Sequence, residues 1–436
     1  MFTAEQKKII ALSSLGGMLE FYDFIIFVFL AKLLGELFFP KTDPVATLMV
    51  GLTVFAIGYL ARPLGGLFFG HFGDRLGRKK TFVSTVILMA IPTFLIGFLP
   101  TYHHIGISAS IMLVVLRLLQ GCSIGGEIPG AIVFITESVS IDRRGFATGL
   151  ILLGVNMGIL LGSFVSGMIN HFLTSEQLTT WGWRIPFFIG GILGVMSYFL
   201  RKQLRETPIF TQLASAEIKN KIPFKELITH FKLPLIQGIS ITALEAVIVS
   251  ILILFFPTYL ATFFHYPIDQ LFYLNTLSIL IFSIPVLLTS FLSDQKGRKK
   301  IILVGILFFS TLVYPTFTLL HFHHLSTVVL MLSISLIFAS CVAGVFPCMM
   351  AELFPTRVRY SGVALTYNIG FGIVGGLTPL LATELIHATG NLYAPSFILM
   401  AAALFALLTW FSLRETHRVS LEKLGTATDL SPARFG

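Results

Sequence analysis

Apolar residues run through this chain in blocks of about twenty, broken by short polar, Pro-rich or basic clusters. A block of that length, wound as a helix, crosses the roughly 30 Å hydrocarbon core of a bilayer. The breaks predict twelve helical spans. Six lie at 10–38, 46–70, 81–100, 109–138, 147–172 and 184–200. Six more lie at 233–262, 271–293, 301–321, 326–352, 361–386 and 395–414. The one long polar stretch, Arg201–Lys232, separates the two sets and carries seven basic and three acidic residues. The pattern divides the chain into an N-terminal six-helix half (1–200), a cytoplasmic central loop (201–232), a C-terminal six-helix half (233–414) and a short cytoplasmic tail (415–436).

Composition narrows the class. Charged residues make up 12% of the 436, about half the ~25% of a soluble domain, and mean hydropathy is +0.88. A soluble enzyme, a nucleic-acid-binding module and a disordered chain are excluded, leaving an all-α membrane protein whose surroundings are the lipid bilayer. Forty-three Phe and 38 Gly suit lipid-facing surfaces and closely packed helices. Cys122, Cys341 and Cys348 lie in apolar segments without ligand spacing, so no disulfide framework and no metal site is expected. Lys7 and Lys8 precede the first apolar block without a small-residue cleavage site, which predicts a retained span.

The net charge of +9 matters through its distribution. Of the 30 Lys and Arg, 25 fall on the side of the spans that holds both termini. Lys41 and Arg184 fall on the other side, and Lys32, Arg62 and Arg117 inside spans. The positive-inside bias puts both termini in the cytoplasm.

The halves also repeat. Gly70-His-Phe-Gly-Asp74-Arg-Leu-Gly77-Arg78-Lys79-Lys80 follows span 2, and Ser290-Phe-Leu-Ser-Asp294-Gln-Lys-Gly297-Arg298-Lys299-Lys300 follows span 8. Glu137 with Arg144 near the end of span 4 recurs as Glu352 with Arg359 near the end of span 10. Two parallel six-helix repeats are the architecture of a secondary transporter with its substrate held at mid-membrane between them.

The loop pattern G-x-x-x-D-R-x-G-R-K after span 2 resembles the signature of the major facilitator superfamily. Further stretches are similar to its metabolite:proton symporter family: Gly17-Met-Leu-Glu20-Phe-Tyr22-Asp23-Phe24, Arg62-Pro63-Leu-Gly65-Gly66, and Arg117-Leu-Leu-Gln120-Gly121-Cys-Ser-Ile-Gly125-Gly126-Glu127. Ala351-Glu352-Leu-Phe-Pro355-Thr-Arg357-Val-Arg359, Tyr367-Asn368 and Arg205-Glu206-Thr207-Pro208 extend the likeness over nearly the whole chain. The resemblance implies the major facilitator fold, and proton-coupled import of a small organic acid or zwitterion by alternating access, in a bacterial inner membrane. Family members carry citrate, 2-oxoglutarate, shikimate, dicarboxylates, or proline and betaine. Two departures stand out. Ile128-Pro129-Gly130 replaces the family's Trp-Gly-Gly, so Pro129 is expected to kink span 4 beside Glu127. The tail has no sustained heptad of the kind that builds the coiled coil of the osmosensing branch.

Ionisable groups inside the membrane cost about 2.5–3.5 kcal/mol each on insertion scales and need a reason. Counting ~1.5 Å per residue from the cytoplasmic edge puts Arg62 near 12 Å, Glu20 near 15 Å, Glu127 near 16 Å and Asp23 near 20 Å. Glu245 falls near 18 Å in the second half and Arg117 near 30 Å. Glu20 and Asp23, three residues apart, repel one another, which favours uptake of a proton, the coupling ion. Proton coupling by Asp23, Glu20 and Glu127 therefore competes with permanent pairing to Arg62 or Arg117. Arg117 is a candidate for a bidentate hold on a substrate carboxylate, or a switchable partner for Asp23. Glu245, Tyr22, Tyr367 and Asn368 are candidate substrate contacts, with packing as the competing role. At the cytoplasmic ends, Asp74 and Asp294 can face helix N-termini. Glu137 with Arg144 and Arg78, and Glu352 with Arg359 and Arg298, can form two symmetric gating networks.

Eight of eleven His cluster in or near periplasmic loops; without accompanying acidic ligands they read as solvated loop residues. No cofactor, no nucleic acid and no catalytic group are expected, and the carrier is expected to act as a monomer. Two alternatives remain: a sugar or polyol porter, against which span 7 lacks paired Gln and Asn, and a non-transporting receptor, which would not need mid-membrane carboxylates.

Overall fold

The computed structural model describes residues 2–39, 44–214, 223–419 and 421. Lys41, residues 215–222 of the central loop and most of the expected tail lie outside the described residues. Twelve long helices organise the chain: α1 (Ala4–Phe38), α2 (Pro44–Arg75), α3 (Arg78–Phe98), α4 (Ile107–Ser138), α5 (Arg144–Phe172) and α6 (Ile185–Lys202). They continue as α7 (Lys232–Phe264), α8 (Ile268–Lys296), α9 (Arg298–Phe322), α10 (Leu325–Glu352), α11 (Thr356–Thr389) and α12 (Pro395–Trp410). Ten helical stretches among the described residues are long and apolar enough to cross a membrane, and α2 with the shorter, apolar α12 makes up the twelve. No strand occurs among the described residues.

Local chemistry sets the ends. Thr3 caps α1: its hydroxyl accepts from Gln6 N at 3.2 Å while the Gln6 side chain accepts from Thr3 N at 3.1 Å, a reciprocal cap worth ~1 kcal/mol. Gly297, at φ 101°, separates α8 from α9, and Gly77, at φ 118°, does the same for α2 and α3. Only glycine takes such angles without strain. The helix α4 runs unbroken through Pro129. By contrast, α7, α9 and α11 each contain a π-helical stretch, at Ser250–Phe255, Phe308–Leu312 and Asn368–Gly375.

The chain forms two units. The first comprises Met1–Ala131 and Ile151–Arg205; the second comprises Ile132–Leu150 and Glu206–Gly436. The C-terminal end of α4 and the start of α5 thus belong with the second unit. Within the first, glycines bring helices close: a Cβ at Gly121 or Gly125 would meet the backbone carbonyl of Gly58 or Arg62, so α4 lies directly on α2.

Candidate functional site

Among the described residues of the first unit, the buried carboxylates Glu20, Asp23 and Glu127 each pair with a different arginine. Asp23, 1% exposed, lies on α1 and is the most fully hydrogen-bonded. Arg117 Nη1 lies 3.2 Å from its Oδ2, Gln120 Nε2 reaches both oxygens at 3.0 Å, and Thr93 Oγ1 donates at 3.0 Å. Arg117 also donates to Gln120 Oε1 at 2.9 Å and lies over the Phe27 ring at 3.9 Å. Its Nε has no hydrogen-bond partner. Arg117 and Gln120 are three apart on α4, one helical face, which is the sequence signal that could have identified Gln120. Nothing in the sequence singled out Thr93.

Glu20, fully buried one turn below, differs sharply. Its one ionic contact is Arg62 Nη2 at 3.7 Å, and neither carboxylate oxygen receives a hydrogen bond. Arg62 lies over the Tyr59 ring at 3.9 Å, while its Nε and Nη2 are also without hydrogen bonds. Glu127 is the opposite case. Arg201 Nη2 approaches its Oε1 to 2.6 Å and Thr85 Oγ1 donates to its Oε2 at 2.5 Å. The absence of a side chain at Gly16 makes room for this pair, since a Cβ there would strike both Arg201 and Glu127. By sequence Arg201 counts with the charge of the central loop; it is instead fully buried, because α6 continues to Lys202. Tyr22 is fully buried in the apolar cluster with Phe27, Trp183 and Phe187, and its hydroxyl donates to the Pro186 carbonyl at 2.9 Å. That engagement fits packing of α1 on α6.

In the second unit Glu245 is 2% exposed, and its Oε2 has no hydrogen-bond partner. Tyr367 stacks on Phe371 at 4.7 Å between centroids, and Asn368 Nδ2 donates to the Ala364 carbonyl at 2.7 Å.

The helix ends of the second unit around Asp294 and Glu352 hold a further network. Asp294 accepts from Gly145 N at 2.8 Å and Phe146 N at 2.7 Å, at the N-terminus of α5, and from Arg298 Nη1 at 2.7 Å. Arg298 Nε lies 3.3 Å from Glu352 Oε2, and Arg144 Nη1 lies 3.9 Å from Glu352 Oε1. Glu137 is held by Arg359 Nη1 at 2.6 Å. Two of these pairs, Glu137–Arg359 and Arg144–Glu352, cross the repeat, the carboxylate of one copy meeting the arginine of the other, where spacing suggests partners seven residues apart; Arg298–Glu352 stays within the second copy. In the first unit, Arg78 Nη1 donates to Asp74 Oδ1 at 2.7 Å and to the Gly73 carbonyl at 2.5 Å.

A threonine completes each acidic site. Thr207 Oγ1 donates to Glu137 Oε2 at 2.8 Å, and Thr416 Oγ1 donates to Glu352 Oε2 at 2.5 Å. Arg205-Glu206-Thr207 and Arg414-Glu415-Thr416 are thus copies, a repeat that the sequence reading overlooked. The second copy continues as a strap. Glu415 accepts from the Arg298 and Lys299 amides at 2.9 and 3.1 Å, capping α9 over Gly297. His417 Nε2 lies 2.6 Å from the Asp294 carbonyl oxygen, Arg144 Nη1 donates to the Val419 carbonyl at 3.2 Å, and Arg418 pairs with Asp142 at 3.3 Å.

Comparison with known proteins accords with this arrangement. A sequence model described as Major Facilitator Superfamily matches residues 11–312, and one described as Sugar (and other) transporter matches 211–427. The proline/betaine transporter of Escherichia coli K12 is 35% identical over 98% of this chain and 87% of its own length. A glycine betaine/proline/ectoine/pipecolic acid transporter of Dickeya dadantii is 34% identical over the same shares. Among solved structures, a proton:xylose symporter superposes with a TM-score of 0.80 over 97% of this chain and 98% of its own, at 19% identity, a likeness of fold.

Proposed function

Since the chain belongs to the major facilitator superfamily, we propose that it is a proton-coupled symporter importing a small zwitterion or organic acid across a bacterial inner membrane, with both termini in the cytoplasm. The observation that carries this reading is the pair of unlike carboxylates on α1. Asp23 is surrounded by four donor contacts, whereas Glu20 has one loose ionic contact and no hydrogen bond. A buried carboxylate without donors is stabilised by taking up a proton, and a well-solvated one by remaining charged. Glu20 is then the group that loads the proton, and Asp23 the group that holds Arg117. A proton moved on to Asp23 releases the guanidinium, whose fork can grip a substrate carboxylate in its place.

Glu127 serves a structural role in this reading, because Arg201 and Thr85 satisfy it in place. The pairs Glu137–Arg359 and Arg144–Glu352 keep segment Ile132–Leu150 joined to the second unit, and alternating access requires that segment to part from it. The names of the relatives favour proline and betaine over sugars as first substrates to try.

The decisive experiment is uptake of labelled proline and glycine betaine into proteoliposomes under an inward proton gradient, an inward sodium gradient or neither. Accumulation that follows the proton gradient and collapses with a protonophore is expected. Accumulation that follows sodium and ignores the protonophore would refute the proposal, and uptake of xylose alone would favour the sugar porter.

A further inference from the structure

We propose that Glu245, with the rings of Phe346, Tyr367 and Phe371, forms a site in the second unit for the cationic end of the substrate, a secondary or quaternary ammonium. This rests on the transport reading above and narrows it from acids and zwitterions to zwitterions.

The argument begins from how α7 meets α11. A Cβ on Gly238 would meet Thr366, one on Gly370 would meet Thr242, and one on Gly375 would meet Ala246. Ser250 Oγ donates to the Gly375 carbonyl at 2.9 Å. Contacts that advance together along both helices mean that the two run parallel. Glu245 lies one residue before the contact position Ala246, a turn of about −100°. Tyr367 and Phe371 lie one residue after the contact positions Thr366 and Gly370, about +100°. On two parallel helices that face each other, these opposite rotations point to the same side of the pair. Phe346 of α10 joins them there, its ring 6.1 Å from that of Phe371.

That side therefore carries one carboxylate and three aromatic rings. Among the described residues no lysine, arginine or histidine forms a salt bridge with Glu245, and its Oε2 receives no hydrogen bond although the residue is 2% exposed. A buried carboxylate in this position lacks a counter-charge, and an ammonium group supplies one. Aromatic faces add attraction for a cation that has few or no N–H groups to donate. α11 also carries a π-helical stretch at this level, Asn368–Gly375, a frequent mark of functional positions.

The test is equilibrium binding to the purified full-length carrier in detergent, with glycine betaine, proline and, as an acid without a cation, 2-oxoglutarate. Glu245→Gln is expected to weaken glycine betaine binding about tenfold or more. Phe371→Leu is expected to weaken it about fivefold, and Phe371→Tyr to keep the parent affinity. Parent-like affinity of Glu245→Gln for glycine betaine overturns the site. If Glu245→Gln does not fold, equal affinities of the Leu and Tyr variants at 371 overturn it instead. A parent that binds 2-oxoglutarate and neither zwitterion also overturns it, while leaving proton-coupled transport of an acid standing. Sodium-driven uptake sinks the coupling and leaves the binding result intact.

Discussion

At the scale of single residues, three equally buried N-terminal carboxylates have different partners, and each difference has a consequence. If Asp23 governs Arg117, Asp23→Asn should abolish accumulation driven by the proton gradient while sparing exchange at equal concentrations. The amide mimics the protonated acid, so a loaded carrier still reorients. Counterflow and gradient-driven uptake measured on one preparation separate the two, and full uphill uptake by Asp23→Asn would shift coupling to Glu20. For Glu127 a stability effect is expected instead. Arg201→Leu leaves a buried carboxylate without its ion, which costs about 3–5 kcal/mol. The double variant Glu127→Leu/Arg201→Leu should regain most of that. The comparison is the thermal midpoint in detergent, and a double variant no more stable than Arg201→Leu would argue against a simple structural pair.

At the scale of elements, helix termini carry the chemistry. Asp294 sits on the first amides of α5, where a negative charge is worth about 0.3–1 kcal/mol when exposed and up to ~2 when partly buried. Asp294→Asn removes that attraction and weakens the Arg298 pair. A cysteine placed on the cytoplasmic mouth should then label faster with a thiol reagent, and one on the periplasmic mouth more slowly. Asp74→Asn should act in the same direction through Arg78. Unchanged labelling with reduced folded yield would make these acids structural. The spans themselves were legible because apolar runs are long and loops short. Partnerships were not: Arg201 looked like loop charge because a helix end cannot be fixed within a turn from hydropathy. Thr85 and Thr93 give no signal because a hydroxyl inside an apolar helix resembles ordinary helix packing, and Thr207 stands in a visible motif that does not say which acid it serves. The π-helical stretches escaped for a related reason, since an extra residue in a turn does not alter an apolar run.

At the scale of the whole molecule, the internal repeat is visible in the motifs, but its pairing only in part. Spacing along the chain suggests a partner seven residues away for Glu137 and Glu352; the fold gives Glu137 one from the other copy, and Glu352 both Arg298 and Arg144. Glu137 with Arg359 makes this testable. Glu137→Arg or Arg359→Glu alone puts like charges together in a buried site and should reduce transport to background. Combining them restores an opposite pair and should recover a measurable fraction of uptake. Failure of the combination, with both single variants well folded, would mean that the orientation of the pair matters as much as its charge.

The strap at 415–419 also bears on how the protein is made. Arg144 and Val419, which it joins, lie 275 residues apart, and the second unit begins at Ile132, within α4. A ribosome adding ~5–20 residues per second therefore takes roughly 14–55 s to pass from Arg144 to Val419, the last partner of this cluster to be made. The contacts of the strap can complete only after translation has passed the twelfth helix, so a chain ending before Val419 lacks the bond that Arg144 donates to it.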